Sequence, residues 1–310
     1  MVKIMLNDYY KNINLDGFIN RYGIANAIRR GIYIANPIHY VKNYETKKLL
    51  WQEKAARKVA KYIKYCVSDP NGLSYGNIKV FDPVWVYWNT GIENAPPIVK
   101  KCYDSIKRYS NREVVLLNDG NVGRYIQLPE YIENKKKEHH ISLAGYTDLM
   151  RFALLEHFGG IWIDSTVYLT ENIPEQILDS DFFAFRNALG LLENPVLYPA
   201  WFLRAKQHND VIRKIRNVAF AYWKHENHII EYLLPNLIIT QVLKLNPSVE
   251  KEMPYLNSDY SEYLVKLLGD LYSIDKWNWI TDLTGIHKLT YKLDPSIDKN
   301  DSFYRWILEH

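Results

Sequence analysis

A doubly wound α/β fold, a mostly parallel sheet flanked by helices and preceded by a helical extension, is predicted by three features of the chain. Apolar runs rich in β-branched and aromatic residues at positions 83–88, 113–117 and 161–163 alternate with stretches of helical periodicity. This is the signature of successive βαβ units. Gly159-Gly160 separates the last of these helices from the last strand, and each apolar run ends in polar residues: Asn89-Thr90, Asn118-Asp119 and Asp164-Ser165.

In chain order, residues 1–76 read as a helical segment and residues 77–310 as the main domain. Positions 45–66 set Leu49, Leu50, Ala56, Val59, Ala60 and Ile63 at helical spacing among Lys, Arg and Gln, so one face is apolar and the other wet. Asp69-Pro70-Asn71-Gly72 breaks that pattern. The first strand, 83–88, is continuous enough to be buried on both faces. Pro96 and Pro97 suit the first turn of the next helix, where a missing N–H costs little, and Ile98, Val99, Cys102, Ile106 and Tyr109 form its buried stripe. A second strand at 113–117 and a helix at 147–157 lead to the third strand. Positions 182–186 and 196–203 read as later strands, and 208–223 and 229–245 as helices. No repeat or low-complexity segment interrupts the chain.

With 47% hydrophobic and 24% charged residues in 310, the composition is that of a globular domain. The formal charge is +4 and the basic residues are dispersed, which argues against nucleic acid as a partner. The densest basic patch, Lys135-Lys136-Lys137 with His139 and His140, reads as a solvated loop or as a contact for anionic lipid head groups. The 25 Tyr and 9 Trp supply rings for core packing and for stacking on bases and sugars. Cys66 and Cys102 have neither metal-ligand spacing nor the pattern of a disulfide framework. His225, Glu226 and His228 lack the spacing of a zinc helix. The first residues lack the apolar core of a secretion signal. Positions 229–245, interrupted by Glu231 and Pro235, fall short of the ~20 residues a spanning helix needs. A cytoplasmic protein is expected, with any membrane contact peripheral and at the inner face.

The candidate site follows from direction. Helices run against strands in a parallel sheet, so the start of the 147–157 helix and the end of the 161–163 strand share one edge. The helix covers about 15 Å at ~1.5 Å per residue and the strand returns roughly 10 Å. Asp148, Arg151 and Asp164 are therefore expected to meet at the carboxyl ends of the strands, where open α/β sheets bind ligands. Asp148 and Arg151, at i and i+3, could simply pair with each other for ~0.2–0.5 kcal/mol. On spacing alone that pairing is the favoured reading, and a role in holding a charged, hydroxyl-rich molecule is the alternative.

Tyr146-Thr147-Asp148-Leu149-Met150-Arg151 through Gly159-Gly160-Ile161-Trp162-Ile163-Asp164-Ser165-Thr166 resembles the bacterial capsular polysaccharide synthesis glycosyltransferases, relatives of glycosyltransferase family 32. Two flanking blocks agree: Val84 to Val99, with Leu128-Pro129-Glu130-Tyr131-Ile132 after it, and Gly285-Ile286-His287-Lys288-Leu289-Thr290-Tyr291-Lys292 near the end. The resemblance implies a GT-A-like, Rossmann-type sheet and transfer of a hexose from a nucleotide-diphospho-sugar, a UDP-sugar, to a lipid-linked oligosaccharide acceptor with retained configuration.

It also implies roles for particular residues. Asp148 and Arg151 bind the donor sugar, Ser165 lies at the donor, and Tyr87 or Trp88 stacks on the base with Asn89 and Thr90 as polar contacts. Asp164 suits a divalent cation, Mn²⁺ or Mg²⁺, because hard ions prefer carboxylate oxygen. The usual Asp-x-Asp signature has Thr166 as its third residue here, so the metal set becomes Asp164, Thr166 and His287. Without a cation, the leaving group falls to His287, Lys288 and Arg151. A binding protein that kept the fold and lost turnover is the alternative that Thr166 leaves open. A nucleotidyltransferase is disfavoured, because the loop at 89–94 has no basic residue.

Overall fold

The computed structural model describes residues 15–35, 44–187 and 194–310. Its centre is a five-stranded sheet of order β3-β2-β5-β8-β7, made of β2 (Val84–Tyr87), β3 (Val114–Leu117), β5 (Gly160–Ile163), β7 (Phe182–Ala184) and β8 (Phe202–Ala205). Two-stranded pairs flank it: β1 (Ser74–Tyr75) with β4 (Ile126–Gln127), and β6 (Val167–Leu169) with β9 (Ile286–Lys288). Strands β3, β2 and β5 are parallel, in register at Val84, Val114 and Ile161. Strand β8 runs antiparallel to both β5 and β7. The sheet is thus mixed, with its parallel part where the βαβ pattern predicts it.

Alternation along β2 divides the core. Trp85 and Tyr87 join a cluster on one face with Leu117, Trp162 and Leu203, while Val84 and Val86 face the other way with Ile161, Ile163 and Phe202. Successive side chains in a strand point to opposite faces, so an unbroken apolar run is what a sheet covered on both faces requires.

The Leu143–Phe158 helix starts at Ser142, whose side chain accepts from Gly145 N, and ends at Gly159 with φ +70°. Gly160 follows with φ +103°, and a Cβ there would lie 2.1 Å from Pro83 O. Only glycine fits where β5 comes in beside the start of β2, with Ile161 N donating to Pro83 O at 2.8 Å. The paired glycines thus turn the helix tightly into the strand, and that turn sets both ends of the candidate site.

Three expectations change. Residues 196–201 are buried but not strand; the strand starts at Phe202, and the preceding loop is held by Asn194 and Thr240 side chains. The 229–245 helix starts only at Leu234, with Pro235 in its first turn; a proline further inside would remove a hydrogen bond and clash. The Lys135–Lys137 run is the end of the Glu130–Lys137 helix rather than a loop, and Lys135 Nζ donates to Glu226 O at 2.9 Å.

The helical reading of residues 1–76 lies partly outside the described residues, at 1–14 and 36–43. Where described, it gives the helices Leu15–Tyr22, Ile24–Ala35 and Tyr44–Ala60. Trp51, Ala55, Ala56 and Val59 are buried in the same cluster as Trp85 and Leu237. The segment therefore helps to build the main core. Among the described residues, no helix is long and apolar enough to cross a membrane.

Candidate functional site

Arg151 projects from the Leu143–Phe158 helix to the carboxyl end of β5 and lies between two carboxylates. Its Nη2 donates to Asp164 Oδ1 at 3.0 Å, and its Nη1 is 3.2 Å from Asp148 Oδ1. Nη1 also donates to Ala200 O at 2.6 Å, and the guanidinium sits 5.0 Å from the centre of the Trp162 ring. A planar, five-donor cation suits such a multiply bonded and stacked position better than lysine does. The side chain is buried, and its Nε has no hydrogen-bond partner.

Asp164 is engaged on both oxygens. Oδ1 also accepts from Trp162 Nε1 at 3.0 Å, and Oδ2 accepts from Lys288 Nζ at 3.0 Å. The same ammonium donates to Thr166 Oγ1 at 2.6 Å. Lys288 arrives there because β9 pairs with β6, placing Val167 opposite Lys288, and because Leu289 N donates to Thr166 O at 2.8 Å.

The two carboxylates titrate differently. Burial pushes the Asp148 carboxyl up to about 7; Arg151 opposes the shift and Asp164 adds to it. Burial also raises Asp164, but Lys288, Arg151 and the Trp162 N–H outweigh it and hold that carboxyl below its ordinary value. Lys288 and Arg151 with an ionised Asp164 leave a positive site when Asp148 is protonated and a neutral one when it is not. The positive state offsets part of the charge of an incoming anion, and the neutral state does not.

His287 lies elsewhere. It neighbours Lys288 on β9 and so points to the opposite side; its Nε2 is 3.2 Å from Thr170 Oγ1, and the ring is fully buried. Burial lowers its pKa to about 4, so the imidazole is neutral at pH 7. The structure does not bring it to Asp164 and Thr166.

Of the residues expected around a base, Tyr87 is buried in the core, which leaves its ring little surface for stacking, and its hydroxyl donates to Asp119 Oδ1 at 2.7 Å. Trp88 is half-buried, meets Tyr291 edge-on with ring centroids 5.2 Å apart, and has a buried Nε1 without a hydrogen-bond partner. Asn89 O accepts from Asp119 N, tying the ends of β2 and β3 together, and Thr90 is exposed. Ser165 is buried beside Asp164. Asn118 takes its turn role, accepting from the backbone N–H groups of Gly120 and Asn121.

Sequence reasoning gave no role to Trp162, which sits inside the motif and both orients Asp164 and backs Arg151. It also missed the Ala200 carbonyl, which no side-chain pattern could announce. Lys136, whose Nζ is 3.8 Å from the Tyr146 ring centre and 3.9 Å from Asp119 Oδ1, was read only as part of a basic run.

Residues 32–307 match the profile of the capsular polysaccharide synthesis protein family. The chain belongs to that family. The matched span contains the Gly159-Gly160 turn, Arg151, Asp164 and Lys288. No curated protein matches the chain. Among solved structures it is similar to the PaToxG glycosyltransferase, at 14% identity with a TM-score of 0.40 over 67% of this chain and 86% of the other.

The donor set can be compared with what a divalent cation needs. Mg²⁺ or Mn²⁺ bound through protein carboxylates requires oxygen lone pairs open to it. Asp164 Oδ1 already accepts from a guanidinium and an indole, Oδ2 from an ammonium, and Thr166 Oγ1 from that same ammonium; the lone pairs left on Oδ2 and Oγ1 lie beside the Lys288 ammonium, whose charge repels a cation. Among the described residues, no group of three or more His, Cys, Asp or Glu is gathered to hold a metal. In this arrangement, the residues present do not fit a divalent cation.

Proposed function

We propose that this member of the capsular polysaccharide synthesis family is a glycosyltransferase that moves a hexose from a nucleotide-diphospho-sugar, UDP-linked, to a glycan carried on a membrane lipid. The observation that carries the reading is Arg151 held between Asp148 and Asp164 at the carboxyl end of a parallel strand. Carboxylates accept hydrogen bonds from sugar hydroxyls, and a guanidinium gives a fork of donors to sugar or phosphate oxygens. A sugar inserted at Asp148 would exchange a carboxylate–guanidinium contact for bonds to both groups.

In the reaction, the bond between the anomeric carbon and the diphosphate breaks and negative charge develops on the leaving oxygen. Fixed donors aimed at that charge stabilise the transition state. We assign this role to Arg151 and Lys288. Retention of configuration is part of the proposal: the departing phosphate accepts the acceptor proton, and no separate base is required. Trp88, half-buried at the end of β2, is the ring assigned to the base. Work at the inner face of the membrane, through peripheral contact, completes the proposal.

Calorimetric titration with UDP-, GDP- and CMP-sugars tests the donor class, with selective binding of UDP-sugars expected and indifference among the three counting against the reading. Thr166 in place of a second carboxylate favours one other reading, a nucleotide-sugar binding protein without turnover. Hydrolysis of a UDP-sugar by the wild type, lost in Asp164→Asn, rules that reading out.

A further inference from the structure

We propose that the Lys288 ammonium stands where a divalent cation would otherwise be held, so that the chain binds the diphosphate of its donor and stabilises its departure without metal. The inference rests on the transferase reading above and deepens it. It begins from the third position of the Asp164-Ser165-Thr166 turn. A carboxylate at 166 would give a cation a second anionic ligand; a threonine gives a neutral hydroxyl, a weak ligand for Mg²⁺ or Mn²⁺ but a good acceptor for an ammonium. The Lys288 Nζ meets both ends of that turn, at 3.0 Å from Asp164 Oδ2 and 2.6 Å from Thr166 Oγ1. A metal bound to these same two oxygens would have to displace it.

The placement is built into the backbone. The β6–β9 register sets Val167 against Lys288, and Leu289 N donates to Thr166 O at 2.8 Å. Lys288 thus comes from the strand that clasps the turn. Its side chain keeps about a quarter of its surface, 23%, exposed, so Lys288 is not sealed within the core. An ammonium has three donors. Two are used on Asp164 and Thr166, and the third remains for a phosphate oxygen.

Arg151 adds a second fixed cation on the other oxygen of Asp164, 3.0 Å away. One carboxylate thus orients two cations, and their combined charge of two equals that of the metal ion they replace. In the transfer step, the electron pair of the anomeric C–O bond passes to the β-phosphate oxygen, the acceptor oxygen forms the new bond to the anomeric carbon, and its proton ends on the released diphosphate. Lys288 takes no part in this proton transfer and acts only by hydrogen bonding and charge.

The test uses the full chain and UDP as probe, with calorimetry in chelator and in Mn²⁺. The expected result is a Kd that changes by less than about twofold between the two, and a loss of about 10- to 100-fold in Lys288→Met, as for removal of a charge-assisted hydrogen bond to phosphate. A direct titration of Mn²⁺ alone, followed by its paramagnetic resonance signal, is expected to show no site in the wild type. The double variant Thr166→Asp with Lys288→Ala is expected to gain one.

UDP binding that disappears in chelator and returns with Mn²⁺ would overturn the inference while leaving the transferase reading standing. Failure of UDP, GDP and CMP to bind in either condition would remove both. The wild-type comparison needs no variant to fold.

Discussion

Lys288 Nζ donates to Asp164 Oδ2 at 3.0 Å across 124 residues of chain, and the same carboxylate takes Arg151 on its other oxygen. Asp164 is therefore the meeting point of a helix, a parallel strand and a distant antiparallel strand. Removing either cation alters the balance on a carboxylate that is only about a quarter exposed.

Arg151→Met leaves Asp148 and Asp164 close together without the guanidinium between them. The expected cost is about 2–3 kcal/mol at pH 8, below the ~3–5 of a fully buried broken pair because Asp164 retains 27% exposure. Urea denaturation checks it, and the cost should shrink near pH 5, where Asp148 takes up a proton.

The Asp148 carboxyl, raised to about 7 mainly by burial, gives a pH dependence of definite sign. Between its unfolded pKa near 4 and its folded value, the native state holds a proton that the unfolded chain has lost, so stability falls as pH rises through that window. Asp148→Asn removes the titration. Thermal unfolding should show the variant gaining on the wild type from pH 4 to pH 8; a difference that stays constant over that range would show that Asp148 titrates normally.

His287→Leu is expected to leave the affinity for UDP within about twofold. The ring is fully buried, it bonds only Thr170, and its Nδ1 has no hydrogen-bond partner. An apolar side chain of similar size is therefore tolerated there. A tenfold loss of binding in folded variant protein would place the imidazole at the ligand after all.

Gly160→Ala should be among the most damaging single changes, at about 3 kcal/mol or more, because its Cβ would lie 2.1 Å from a backbone oxygen at a φ of +103°. Soluble yield and urea denaturation report it. Near-normal stability would mean that β2 and β5 can separate without cost.

Deletion of residues 1–60 should abolish cooperative unfolding rather than spare donor binding, since it strips Trp51, Ala55, Ala56 and Val59 from the shared core. A truncated chain that still melts cooperatively and binds UDP would make the segment a detachable appendage.

What could be read from the sequence was local. Helix, paired glycines, strand and carboxylate lie within about twenty residues, and the two lengths match, so the meeting of Arg151 with Asp164 follows from direction alone. The parallel strands were legible for the same reason: their apolar runs admit no wet face. Strand β8 was legible only in part: 196–203 read as a strand, but nothing in that stretch records where the strand begins or which way its partner runs. Pro235 did mark a helix start, yet the apolar run before it hid the boundary.

The site divided along the same line. Arg151 and Asp164 were placed by spacing, whereas Lys288 and His287 arrived as neighbours in one motif, and only the β6–β9 register shows which of them faces Asp164. Tyr87 looked available for stacking, but the structure buries its ring in the core. The apolar face of the Tyr44–Ala60 helix was visible, but its partner, the core around Leu237, was too distant in sequence to be inferred.

The claim that this cluster turns over a nucleotide-sugar is tested most directly by following nucleoside diphosphate release from UDP-, GDP- and CMP-sugars by the full chain and by Asp164→Asn. Asp164 orients both cations assigned to the leaving group. Release from UDP-sugars that falls on the order of 100-fold in the variant is the predicted result. No release from any donor, or release indifferent to Asp164, would contradict it.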